Sequence, residues 1–132
     1  MKKGLIYILL LIVLVWQSTA AAYDSERAIN NYAHDLAQCA AYFMLVSNAP
    51  GLDEATSKKL WDSGMSLSVL SAQLTSEKLA LARVELEMKT MQREMENTWD
   101  NLVIINNEYG YFCKDLAENP ESRLQYWLNK QD

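Results

Sequence analysis

A run of apolar residues, spaced alternately three and four positions apart, constrains the fold of this chain more than any other sequence feature. It occupies residues 81–116, and Thr98 is its only polar member. This spacing places all members on one side of a helix and gives the heptad pattern of coiled-coil packing. The run therefore predicts helices that bury one face against other helices. Its members are Leu81, Val84, Met88, Met91, Met95, Thr98, Leu102, Ile105, Tyr109, Phe112 and Leu116.

Helix-breaking residues divide the rest of the chain into helical segments. Pro50 and Gly51 separate a first helix, predicted over residues 24–46, from a second, predicted over residues 53–74. The sequence Asn119-Pro120-Glu121 combines a cap residue, a proline at the first helical position and an acid, and so predicts a short C-terminal helix. No segment has the alternating pattern of a strand. The sequence therefore predicts an all-α domain.

Residues 76–118 can form either one long helix or two helices joined by a hairpin. In a four-helix bundle with a turn near Asn101, Cys39 and Cys113 would differ in height by roughly 10 Å, more than a disulfide spans. A turn near Asn106 would remove the mismatch, and so would a long helix with the first two helices laid along it. We therefore expect an antiparallel helical bundle or a long-helix hairpin. The disulfide argument favours the long helix, which in turn favours a homodimer.

The first 22 residues have the features of a cleaved signal peptide. Lys2 and Lys3 precede an apolar run over residues 5–16, and small residues follow at positions 18–22. An uncleaved membrane anchor is the alternative, but it needs about 20 apolar residues. We expect cleavage after Ala22, with Ala20 as the second choice, export to the periplasm or the medium, and no stable membrane insertion afterwards. Residues 23–132 would then form a single helical domain.

Charge and cysteine content narrow the functional classes. Removing Lys2 and Lys3 from the 12 basic residues leaves ten against 17 acidic residues, a net charge of −7. Such a domain is repelled by phosphate backbones and anionic lipids, so we expect no nucleic-acid partner. Cys39 and Cys113 are the only cysteines, and in an exported protein an even count predicts a disulfide. Two free buried thiols are the alternative.

The sequence offers little material for catalysis. His34 is the only histidine, and a solvated or capping role is expected for it. Carboxylate pairs such as Glu85 with Glu87, or Glu94 with Glu96, are two residues apart and diverge on a helix, so a hydrolase is the weakest hypothesis. We expect no catalytic centre and no cofactor.

Three methionines suggest an alternative function. Met88, Met91 and Met95 lie on one helical face, and thioethers bind Cu(I), so copper handling through this stripe is the second hypothesis. The same positions belong to the apolar run, where methionine serves as a flexible core residue.

The C-terminal segment contains the candidate partner-binding residues. Arg123, Tyr126 and Trp127 belong to the residue types enriched in binding hot spots. The alternative is that the terminal helix folds back and buries Trp127 against the core. The leading hypothesis is a small exported helical protein that binds another protein, in the manner of a chaperone, an inhibitor or an accessory subunit.

Overall fold

The computed structural model describes the backbone of residues 2–130 and the side chains of residues 24–130. Within that range the protein is helical and contains no strand, which confirms the predicted fold class. A 3₁₀ turn (Trp99–Asn101) and a π-helical turn (Asn106–Gly110) flank α4, and residues 99–118 are called the return arm. The α-helices are α1 (Lys2–Val46), α2 (Glu54–Leu74), α3 (Glu77–Glu94), α4 (Leu102–Ile105), α5 (Tyr111–Glu118) and α6 (Pro120–Asn129).

The predicted signal segment, residues 1–22, lies outside the range of described side chains. The backbone is already helical before Asp24, because α1 begins at Lys2. The prediction that a helix begins at Asp24 is therefore wrong for the chain with its first 22 residues attached. Over residues 24–130, no helix is long and apolar enough to cross a membrane.

Side-chain caps begin the two middle helices where the sequence predicts. The Asp53 carboxylate accepts the Thr56 backbone N–H at 2.9 Å, which satisfies one of the free amides at the start of α2. The Ser76 hydroxyl accepts the Leu79 N–H in the same way at the start of α3. Only residues 75 and 76 separate α2 from α3, so the two helices form a tight hairpin.

Helix α1 is the central element of the bundle. From Tyr32 to Ala49, only His34, Gln38 and Asn48 have side chains that are not buried. A surface helix buries one stripe, whereas a stretch buried over most of its circumference must have neighbours on several sides. Helices α2 and α3, the return arm and α6 are these neighbours, and each of them contacts α1.

Small residues bring α2 close to α1. A Cβ atom added at Gly64 would lie 2.9 Å from the Ala40 carbonyl oxygen and 2.8 Å from the Met44 Cγ, so only glycine fits. Two turns further along each helix, the buried Ser71 hydroxyl donates to the Ala33 carbonyl at 2.7 Å. Because rising numbers on α2 meet falling numbers on α1, the two helices are antiparallel.

The chain reverses direction after α3, so the long helix favoured by the disulfide argument is wrong. Glu96 and Asn97 have left-handed backbone angles (φ 54° and 56°), and the Asn97 N–H donates to the Gln92 carbonyl at 2.8 Å, which closes the end of α3. The Tyr109 hydroxyl then donates to the Glu94 carboxylate at 2.9 Å. In a continuous helix these residues would be about 22 Å apart. The structure is therefore the antiparallel bundle.

The predicted disulfide joins α1 to the return arm. Cys39 and Cys113 are bonded, their Cα atoms are 5.1 Å apart, and both residues are fully buried. The height mismatch of roughly 10 Å expected for a bundle with a turn near Asn101 is wrong, because the two Cα atoms lie within the distance that a disulfide spans. The return arm changes from 3₁₀ to α to π geometry over residues 99–110, so it is not the single straight α-helix that the expectation assumed.

Candidate functional site: the C-terminal helix

One buried carboxylate attaches α6 to the central helix. The Oδ2 atom of Asp35 accepts a hydrogen bond from the Arg123 Nε at 2.6 Å and another from the Trp127 indole Nε1 at 2.6 Å. Asp35 is 7% exposed, so its charge is held in a low-dielectric setting in which partners matter. Arg123 and Trp127, one turn apart on α6, therefore both hold this helix on α1.

Aromatic rings surround the Arg123 guanidinium. Its Cζ atom lies 4.3 Å from the ring centre of Tyr126, 4.9 Å from that of Phe112 and 5.1 Å from that of Trp127. Lys130 is also close to the Trp127 ring, with its Nζ 4.7 Å from the ring centre. Cation–π contacts of this kind contribute about 0.5–1 kcal/mol at exposed sites and more when desolvated.

The structure brings the three predicted partner-binding residues together, but in different settings. Arg123 and Trp127 are half-buried, since their polar atoms contact Asp35, whereas Tyr126 is 47% exposed. Leu128 is exposed beside it to a similar extent. Contact with a partner would therefore fall mainly to Tyr126, with the other two side chains fixing its position.

A groove of about 700 Å³ runs between the end of α6 and the first described turns of α1. Charged, polar and apolar side chains all contribute to its lining. The residues that line it are Asp24, Arg27, Ala28, Asn31, Trp127, Leu128 and Lys130.

The methionine stripe lies in the core of the bundle. Met91 is fully buried and Met95 is 3% exposed, while Met88 is half-buried against the same cluster. Over residues 24–130, no three His, Cys, Asp or Glu side chains are grouped as metal ligands would be.

His34 contacts an acidic residue of α3. Its Nε2 lies 3.5 Å from the Glu87 Oε1, and the Gln38 amide donates to the other oxygen of Glu87 at 3.3 Å. The His34 side chain is 45% exposed and that of Glu87 is 12% exposed. The pair occupies the edge between α1 and α3, where His34 is partly solvated, as the sequence predicts.

Glu85 and Glu94, one member of each carboxylate pair considered above, contact different side chains. Glu85 pairs with Lys89 on the solvent side of α3, and the hydrogen bond from Lys89, followed by its positive charge, lowers the pKa of Glu85. Glu94 accepts the Tyr109 hydroxyl, and burial followed by this hydrogen bond raises the pKa of Tyr109 above its ordinary value. Each of these two carboxylates therefore stabilises a local contact.

Asp35 is the site residue that sequence reasoning missed. It lies 88 residues from Arg123 and 92 from Trp127. An acid at position 35, one residue before the buried Leu36 and four before Cys39, was the available signal, because an acid on a core-facing side of a helix needs a partner. Comparisons of the chain with protein-family models, with curated proteins and with solved structures found no match.

Proposed function

We propose that residues 23–132 form an exported protein that binds another protein through a helical surface and has no catalytic centre. The observation that carries this proposal is the fixed C-terminal helix. Two side chains of α6 donate to one oxygen of Asp35, and Tyr126 is left almost half exposed on the same helix. A positioned aromatic side chain offers contact area at little cost in conformational entropy.

The disulfide supports export. Disulfides persist in oxidising compartments and are rare in the reducing cytosol, and the bond between Cys39 and Cys113 is fully buried. The basic and then apolar order of residues 2–16 adds a sequence signal of the same kind. Together they favour the periplasm or the medium as the place of action.

The charge of the domain favours a protein as the partner. With ten basic and 17 acidic residues after position 22, its field repels nucleic acids and anionic lipid surfaces. Neither repulsion applies to a protein that presents a neutral or basic surface.

Affinity capture with matched variants tests the proposal. Tagged protein covering residues 23–132 is incubated with an extract of the export compartment, alongside Tyr126→Ala and the control Gln125→Ala, which changes an exposed neighbour. We expect one protein to be retained equally by the wild type and the control, and at least tenfold less by Tyr126→Ala. No retained protein, or equal retention by all three, contradicts the proposal. Circular dichroism establishes that the variants fold.

A further inference from the structure

The outer face of the return arm presents a row of exposed side chains. Val103 is 58% exposed and Tyr111 is 86% exposed, the highest value among the large apolar and aromatic side chains of the described chain. Asn107 lies between them and is also exposed. We call these three residues the outer face. An aromatic ring held almost wholly in water contributes little to the stability of the fold.

The π-helical turn produces this row. In a regular α-helix, each step of four residues overshoots a full turn by about 40°, so residues eight apart drift about 80° from one another. The π turn has a wider repeat, which keeps residues spaced by four in line across positions 103–113. Ile105, Tyr109 and Cys113 are accordingly all buried. The outer-face residues each lie two positions before one of these three, on the opposite side of the helix, and all of them are exposed.

The return arm is held firmly from behind. Cys113 is bonded to Cys39, and the Tyr42 hydroxyl donates to the Asn106 side chain at 3.0 Å. Leu116 is 1% exposed and closes the last turn of α5. A surface fixed in this way loses little conformational entropy when it binds, which is the advantage of preorganisation.

The return arm is acidic. Between residues 99 and 118 the chain has four acidic residues and one basic residue, Lys114. Asp100 stands three positions before Val103 and Asp115 four positions after Tyr111, so a carboxylate lies at each end of the outer face. Within the described part of the chain, none of the four carboxylates forms an ion pair.

We infer that the outer face of the return arm docks onto a basic surface of the partner protein, with Tyr111 and Val103 as its main contacts and acidic side chains at its rim. This inference rests on the function proposed above and names the chemistry of the partner. The two surfaces adjoin, because Asp115 lines a cavity of about 210 Å³ together with Arg123 and Tyr126 of α6. Opposite charges at the rim steer association, while the exposed ring of Tyr111 supplies affinity.

Site-specific photocrosslinking in the cells that make the protein locates the contact. A benzophenone amino acid replaces Tyr111 or Val103 in the full chain, and two exposed positions elsewhere, Val69 on α2 and Leu86 on α3, serve as matched controls. We expect an adduct with one protein from positions 111 and 103 and none from the two control positions, and an isoelectric point above 8 for that protein. Adducts from the control positions instead, or an acidic partner, overturn the inference.

Binding to the crosslinked protein, purified, then tests the chemistry. Tyr111→Ala is expected to weaken binding at least tenfold. Glu108→Lys is expected to weaken it about fivefold at low salt and less at high salt, because screening weakens the attraction between exposed charges. The control Glu77→Lys makes the same charge change at the start of α3. If Glu77→Lys weakens binding as much as Glu108→Lys does, the partner responds to the net charge of the protein and not to the outer face, which overturns the inference.

The outcomes separate this inference from the proposed function. A fifth probe at position 126 reports on α6. Adducts from position 126 without adducts from 103 or 111 overturn the outer face as a contact and leave a binding protein. The lack of an adduct from all five positions, together with failed affinity capture, overturns both.

Discussion

Asp35→Asn tests how α6 is attached. The substitution keeps the shape of the side chain but removes the charge that accepts both the Arg123 and the Trp127 donors at 2.6 Å. A hydrogen bond to a charged group contributes about 1.5–3 kcal/mol, and breaking a buried ion pair costs about 3–5 kcal/mol. The Arg123 side chain is 27% exposed, so water compensates part of its lost interaction. We therefore expect the free energy of unfolding to fall by about 2 kcal/mol.

Urea denaturation followed by circular dichroism measures this change, and a double-mutant cycle with Trp127→Phe identifies its origin. Trp127→Phe should cost about 1.5 kcal/mol in the wild type and less than about 0.5 kcal/mol beside Asp35→Asn, because the charged acceptor is already gone. Asp100→Asn, at an exposed acid, is the control and should change stability by less than about 0.5 kcal/mol. Additive effects of the two substitutions would refute the shared-acceptor reasoning.

Three further predictions concern the rest of the bundle. Replacing Cys39 and Cys113 together with alanine should lower the free energy of unfolding by about 4 kcal/mol, as the chain-entropy model gives for a separation of 74 residues, and reductant should then have no further effect on urea unfolding. Gly64→Ala should cost about 1–2 kcal/mol, since overpacking against the α1 backbone outweighs the gain of about 1 kcal/mol in helix propensity; a rise in melting temperature would contradict the close contact. Because the pKa of Tyr109 is raised in the folded state, the unfolded state loses the tyrosine proton at a lower pH than the folded state does. The contribution of Tyr109 to the free energy of unfolding is therefore complete below the ordinary tyrosine pKa near 10 and declines as the pH rises above it. Tyr109→Phe should flatten that decline in urea titrations between pH 9 and 11, and an unchanged slope would show that other tyrosines cause it.

The helices were readable from the sequence because local signals place their ends. Asp53, Ser76 and Pro120 are cap or first-turn residues, and each begins a helix where the pattern predicts. The reversal after α3 was not readable in this way. It places Glu96 and Asn97 in left-handed backbone conformations without a glycine or proline, and the apolar spacing continues through it. Both α3 and the return arm pack on α1, and this packing favours the turn over a continuous helix. Tertiary contacts of this kind cannot be deduced from local sequence patterns.

The candidate site was predictable in part for a similar reason. Residue type alone singled out Arg123, Tyr126 and Trp127, which the structure places side by side. Asp35 determines which of these side chains are held against α1 and which remains exposed. No rule of sequence spacing relates Asp35 to residues 88 and 92 positions away. The outer face of the return arm depends on the π turn, and a heptad pattern gives no sign of one.

The extensive burial of α1 from Tyr32 to Val46 has a consequence for how the chain matures. Synthesis delivers this stretch before the elements that will cover it, and its many apolar side chains are then exposed to aggregation. It stays unprotected until α2, α3 and the return arm have followed. The bond between Cys39 and Cys113 can form only after the return arm, which contains Cys113, has been made. A formed disulfide therefore marks a chain whose return arm has packed on α1, and it cannot direct the earlier packing of α2 and α3.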